Sequence, residues 1–132
     1  MCLVVGKIRD VFGQHPLVVT GTPIQVYKII TSSNRPLYFS DKLMYVANKT
    51  YREPRMRAVA RGDLVVVNEG FHAFLTLEAA FGEEERRAAS LDRHIKTVKF
   101  AIPIGARYYL SRGDKIVSDT IIAGDLRRVH RR

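Results

Sequence analysis

A chain of 132 residues argues for one domain, and its 46% apolar content is enough to build a real core. With 22 Lys and Arg against 13 Asp and Glu, the net charge of +9 points to polyanionic neighbours: nucleic acid, free nucleotides or an acidic protein. A single cysteine, Cys2, excludes a disulfide framework and a cysteine metal cluster, and no apolar run approaches the roughly 18 residues of a membrane span.

Near the start, CLVV reads as a short strand. The segment GQHPLVVTGTPIQ, punctuated by glycine and proline, reads as a loop with one edge strand. The opening MCLVVGKIRDVFG lacks a basic leader region and a small-residue cleavage site, so the expectation is a soluble, cytoplasmic protein. IQVYKII (24–30), β-branched and aromatic, predicts a buried strand. TSSNRP is turn chemistry, and LYFS and LMYVA on either side of Asp41–Lys42 predict a hairpin.

NKTYREPRMRAVARG (48–62) is basic, with Arg52, Arg55, Arg57 and Arg61 close together. At period two, Arg55, Arg57 and Arg61 share one face and Met56, Ala58 and Ala60 the other, as in a strand edge or an extended loop. DLVVVNEG returns to strand, and GFHAF continues it or begins the next. From Thr76 a helix is predicted. Thr76 supplies the N-cap, Glu78 sits in the first turn, and Leu77, Ala80, Phe81, Ala88 and Leu91 recur near helical spacing.

Beyond the helix, TVKFAIPIG (97–105) alternates. Val98, Phe100, Ile102 and Ile104 take one side, Thr97, Lys99 and Ala101 the other, and Pro103 weakens the end. ARYYLSRGDK reads as a turn region with an aromatic pair, KIVSDTIIAG as one strand, and DLRRVHRR (125–132) closes the chain with a basic tail at 127–132. About six strands and one main helix predict an α+β domain with a mainly antiparallel sheet.

His15, His72, His94 and His130 are scattered, so no metal site is predicted. No phosphate-binding glycine loop or dinucleotide fingerprint is present, and no cofactor is expected. The segment EGFHAFLTLEAA (69–80) is the candidate corner. Gly70 allows a close backbone approach, and Phe71 and His72 point to opposite faces. Two readings stand: one ring stacks on a ligand while the other packs, or both serve the sheet and core.

GFHAFLTLEAA resembles the corner of ADP-ribosyltransferases of the His-Tyr-Glu class, Gly-Phe-Tyr before a helix carrying alanines. The resemblance sets Gly70 and Phe71 at matching positions, His72 at the tyrosine that stacks on nicotinamide, and Ala79 and Ala80 in the helix. It sets VYKII at the first core strand, with Tyr27 or Lys28 at the polar motif position, where the family has histidine. It sets DKIVSD at the final motif strand, with the catalytic glutamate falling near Lys115 and Asp114 beside it. All three catalytic positions depart from the family pattern. The resemblance therefore implies a transferase-like fold, with NAD or another nucleotide as ligand, and the departures imply binding without transfer.

The order VYKII, EGFHAF, IPIGARYY, DKIVSDTIIAG (24–124) also resembles a set of small uncharacterised phage and prophage proteins. That implies an accessory or counter-defence role in a host cytoplasm, or association with the virion. Arg52, Arg55, Arg57 and Arg61, with Arg127, Arg128, Arg131 and Arg132, are phosphate-contact candidates, and Tyr45 and Tyr51 could stack bases. The alternative is a solvated strand edge and tail, where arginines discourage edge pairing.

The ligand-binding candidates are Tyr27, Lys28, Gly70, Phe71, His72 and Asp114. The expected partner is a nucleotide, nucleic-acid phosphate or an acidic host protein, and open sheet edges leave room for a homodimer. Two other functions are weighed. One is an active transferase with a rearranged site, in which His72 holds the ring and Asp114 or Asp119 stabilises the ribose cation. The other is a basic nucleic-acid-binding or virion-associated structural protein.

Overall fold

A computed structural model describes residues 3–7, 16–37, 43–62, 64–88, 94–111 and 113–130. Cys2, His15, Asp41, Lys42, Leu91, Arg131 and Arg132 lie outside the described residues. The strands are β1 Leu3–Lys7, β2 Leu17–Val18, β3 Ile24–Thr31, β4 Thr50–Arg52, β5 Arg57–Arg61, β6 Leu64–Asn68 and β7 Phe71–Phe74. Helix α1, Leu77–Ala88, is followed by β8 Ile95–Ile102, β9 Arg107–Ser111, β10 Lys115–Ser118 and β11 Thr120–Ala123. The fold is α+β, with antiparallel pairing throughout the described strands.

Eight strands form an open sheet in the order β2-β9-β10-β7-β3-β8-β11-β4, and three form a smaller one, β1-β6-β5. Only Asp119 joins β10 to β11, yet β7, β3 and β8 lie between those two strands. In a flat sheet they would stand about 19 Å apart at ordinary strand spacing. One linking residue spans no more than about 7 Å. The large sheet therefore folds back on itself. At the fold, the Asp119 amide donates to the Arg107 carbonyl on β9 (3.0 Å), and its carbonyl accepts from the Glu53 amide just past β4 (2.7 Å).

Folding back encloses the main core. Val26 and Ile30 of β3, Phe71 and Ala73 of β7, and Val98, Phe100 and Ile102 of β8 share it with Ile116, Ile121 and Ala123. Tyr45 fills it edge-on to Tyr51 and Phe100, with ring centroids 5.1 and 5.0 Å away. On the other face, α1 packs against β3, β7 and β8, where Ile29, Phe74, Ile95 and Leu37 cluster. Farther along that face, Met56 and Val67 meet Val117 and Tyr109.

The helix starts as predicted: the Thr76 hydroxyl accepts the Ala79 amide (3.2 Å). Glu83 pairs with Arg86 (2.6 Å) and Arg87 (2.7 Å), one turn on. Gly82 sits inside α1, and a Cβ there would meet nothing closer than Arg86 Nη1 at 3.8 Å. Gly82→Ala is therefore expected to stabilise the protein by about 0.5–1 kcal/mol, read from its urea midpoint. A lower midpoint would show that the helix requires glycine there.

Several expectations are corrected. The described residues contain eleven strands and not about six, because strands of two to five residues are too short to show a period. Residues 43–46 of LMYVA are not a strand. The Tyr45 amide donates to the Asn34 carbonyl (2.7 Å) and the Val46 amide to the Tyr51 hydroxyl (2.7 Å), which leaves no ladder to join. Ile104 is 56% exposed, because β8 ends at Ile102 and the Pro103 carbonyl accepts the Ala106 amide in a turn. Of the residues on the other side of β8, Thr97 is fully buried and Lys99 is exposed. ARYYLSRGDK contributes strand β9, and KIVSDTIIAG is two strands on opposite halves of the folded sheet.

The basic stretch 48–62 is likewise two strands, β4 and β5, in different sheets. The chain turns between them, with the Met56 amide donating to the Glu53 carbonyl (3.3 Å). Alternation across the whole stretch therefore fails, and Ala58 is exposed while Met56 is buried. No helix among the described residues is long and apolar enough to cross a membrane.

Candidate functional site

The chain enters β7 through Glu69 and Gly70, two consecutive left-handed residues at φ 59° and 86°. This turn carries it from the small sheet into the large one. A Cβ on Gly70 would lie 2.8 Å from Val117 Cγ2 and 3.0 Å from Met56 Cγ. Backbone conformation and close packing thus account for the glycine without a ligand.

Phe71 and His72 do take opposite faces. Phe71 is 8% exposed, inside the main core, so it is not available to a ligand. His72 is half-buried and stands opposite Val117 of β10. Its Nε2 is buried and has no hydrogen-bond partner among the described residues. Burial, and next the positive charge of Lys28, pull its pKa down to about 4, so the imidazole is neutral at pH 7.

Lys28 lies on the core-facing side of β3 between Val26 and Ile30, and is 6% exposed. β3 pairs with β8 along its full length, Ile24 opposite Ile102 to Thr31 opposite Ile95. With β7 it pairs only where Tyr27 stands opposite Phe74. Where the strands part, Lys28 Nζ donates to the His72 carbonyl oxygen (2.6 Å). No carboxylate pairs with Lys28 among the described residues, and burial lowers its pKa to about 8.

Register defines a second group on the opposite face. Tyr27 stands opposite Lys99 on one side and Phe74 on the other, and Phe74 stands opposite Lys115. Lys115, Phe74, Tyr27 and Lys99 therefore form one row across β10, β7, β3 and β8. Both lysines are exposed, both rings are half-buried, and the Tyr27 hydroxyl accepts from Gln25 Nε2 (3.0 Å). Sequence reading places Tyr27 at the site but not Lys99, since only strand pairing makes them neighbours.

The candidate carboxylates are already used. Asp114, left-handed at φ 58° in the β9–β10 turn, accepts from the Thr76 hydroxyl (3.2 Å), and its carbonyl accepts the Leu75 amide (2.7 Å). It fastens that turn to the start of α1. Asp119 accepts from the Arg107 amide (3.0 Å) and Nε (2.9 Å). Among the described residues no group of three or more His, Cys, Asp or Glu could hold a metal ion.

The arginines do not form one patch. Arg55 binds both oxygens of Glu53, Nε to Oε1 at 2.6 Å and Nη2 to Oε2 at 3.1 Å, which lowers the Glu53 pKa. Arg52, on edge strand β4, and Arg57, on edge strand β5, are exposed and have no side-chain partner among the described residues. Arg61 continues β5 opposite Leu64. The tail is docked through its described part. The Val129 amide donates to the Thr97 carbonyl (2.8 Å), and Arg128 reaches the Ile95 carbonyl (2.6 Å) and Glu84 (3.2 Å). Arg128 thus serves packing between β8 and α1.

Compared with known proteins, the chain matches no family model, no curated protein and no solved structure.

Proposed function

We propose that this protein binds a nucleotide-like or other phosphate-bearing ligand, without transforming it, where β3, β7 and β10 meet. The observation that supports this reading is the strand order. The three segments that resemble transferase motif strands, far apart in the chain, are successive neighbours β3-β7-β10, and their register aligns Lys115, Phe74, Tyr27 and Lys99. Aromatic rings between exposed ammonium groups suit a planar base or nicotinamide ring with phosphate beside it. An ADP-ribosyltransferase-like fold is part of the same proposal.

The absence of transfer follows from the residues at the motif positions. Transfer from NAD needs a carboxylate to stabilise a ribose cation. The positions concerned hold Tyr27 or Lys28, His72 and Lys115, and Asp114 and Asp119 are bonded to Thr76 and Arg107. In a phage setting, binding of this kind would sequester a signalling nucleotide or block a host defence component.

A thermal-shift series with mononucleotides, cyclic dinucleotides and NAD tests the reading. A ligand at a hundredfold excess over its Kd adds about 2.7 kcal/mol, a clear rise in midpoint. No rise with any of them sinks the proposal. Transfer of label from NAD to host lysate proteins, lost in His72→Ala, would replace it with an active transferase.

Arg52 and Arg57, exposed on two open edges, favour a second reading as a nucleic-acid binder. That reading expects affinity for random RNA or DNA to fall with log salt at a slope of about −0.9 per phosphate contacted on duplex. It also expects binding to survive His72→Ala.

A further inference from the structure

A buried ammonium is tolerated when a carboxylate or several acceptors replace its water. Lys28 has one backbone acceptor, the His72 carbonyl, and no carboxylate among the described residues, which leaves two N–H donors unused. It sits where β3 and β7 have stopped pairing, so a small group can enter beside it without breaking a ladder bond between them. The His72 imidazole, whose Nε2 is also unsatisfied among the described residues, projects from the other face of β7, the one that carries Phe74, so at Lys28 His72 contributes only its carbonyl. A buried ammonium with one acceptor, placed where two strands part, marks a place for a further acceptor, and the lysine requires that acceptor to be negative.

We propose that the opening between β3 and β7 is a binding site for a small oxyanion, phosphate or carboxylate, which supplies the counter-charge of Lys28. The site is distinct from the row formed by Tyr27 and Lys99, which lies on the opposite face of β3. It does not depend on the nucleotide reading: an inorganic anion fills it as well as the end of a larger ligand would. Lys28 provides the charge and two donors, and the His72 carbonyl keeps the ammonium at the mouth of the gap.

The test uses the full chain and two probes, inorganic phosphate and acetate, with chloride at matched ionic strength as the reference. The Lys28 side-chain ammonium is followed by NMR with ¹⁵N-labelled lysine and assigned by its loss in Lys28→Met. Saturable movement of the Lys28 resonance with phosphate, acetate or both, absent with chloride, is the expected result. The thermal midpoint should rise with the same anion in the parent protein and not in Lys28→Met. An unmoved Lys28 resonance with both anions overturns the proposal, even if phosphate binds elsewhere on the arginines. If Lys28→Met fails to fold, Lys28→Arg supplies the assignment, and the parent titration alone decides. Nucleotide binding that persists with an unmoved Lys28 would defeat this site and leave the nucleotide reading standing.

Discussion

Acidification from pH 6.5 to pH 4 is expected to cost the fold about 3 kcal/mol through His72 alone. In the unfolded chain an imidazole binds its proton near pH 6.5, whereas in the native protein burial and Lys28 hold it off until about pH 4. Across that window the unfolded state binds more protons, so stability rises with pH and is lost as pH falls. Urea denaturation at pH 7 and pH 4 measures the effect, and His72→Gln removes it while keeping a polar side chain. Equal acid losses in parent and variant would show that His72 titrates normally.

Lys28 has its own window at alkaline pH. Its pKa falls from 10.5 to about 8, so the same sign applies, and stability should rise by about 3 kcal/mol between pH 8 and pH 10.5. Lys28→Met abolishes that rise. Near neutral pH the same variant removes a costly buried charge but leaves the His72 carbonyl without its donor, so the net change there is small. The diagnostic quantity is the difference in slope above pH 8.

Gly70→Ala and Gly124→Ala are expected to be the most damaging conservative substitutions. At Gly124 a Cβ would run into the Lys99 carbonyl oxygen of β8, and neither backbone can yield without breaking the sheet, so the loss is about 3 kcal/mol or more. At Gly70 two costs combine: the left-handed conformation, and contact with Val117 and Met56 at 2.8–3.1 Å. Together they amount to about 2–4 kcal/mol. Denaturant midpoints measure both. A stable Gly70→Ala that had lost ligand binding would return that glycine to the role sequence reading gives it, a close approach to ligand. A destabilised variant that still binds ligand supports the packing account.

Part of the site is legible in the chain. EGFHAF marks a corner, and its alternation places Phe71 and His72 on opposite sides, as observed. Asp114 accepts from the Thr76 hydroxyl at the start of α1, a partner 38 residues away that the local sequence does not indicate. The four arginines look like one group only while 48–62 is read as one segment, and the turn at Glu53–Met56 leaves Arg52 in one sheet, Arg57 and Arg61 in the other and Arg55 between them.

Features that depend on near neighbours can be read from the chain alone. The β-branched and aromatic content of IQVYKII, the shared side of Val98, Phe100 and Ile102 and the Thr76 cap are local, and each appears in the structure where the chain predicts it, while the alternation read to residue 105 stops at Ile102. Which strands lie side by side, the turning back of the large sheet at Asp119, and the burial of Lys28 with no counter-charge among the described residues all emerge only from the folded chain. The reason is physical. Period and propensity report how a segment orders itself, whereas partner strands are chosen by contacts between segments tens of residues apart. The gap beside Lys28 exists only because β3 and β7 pair at one position and then part.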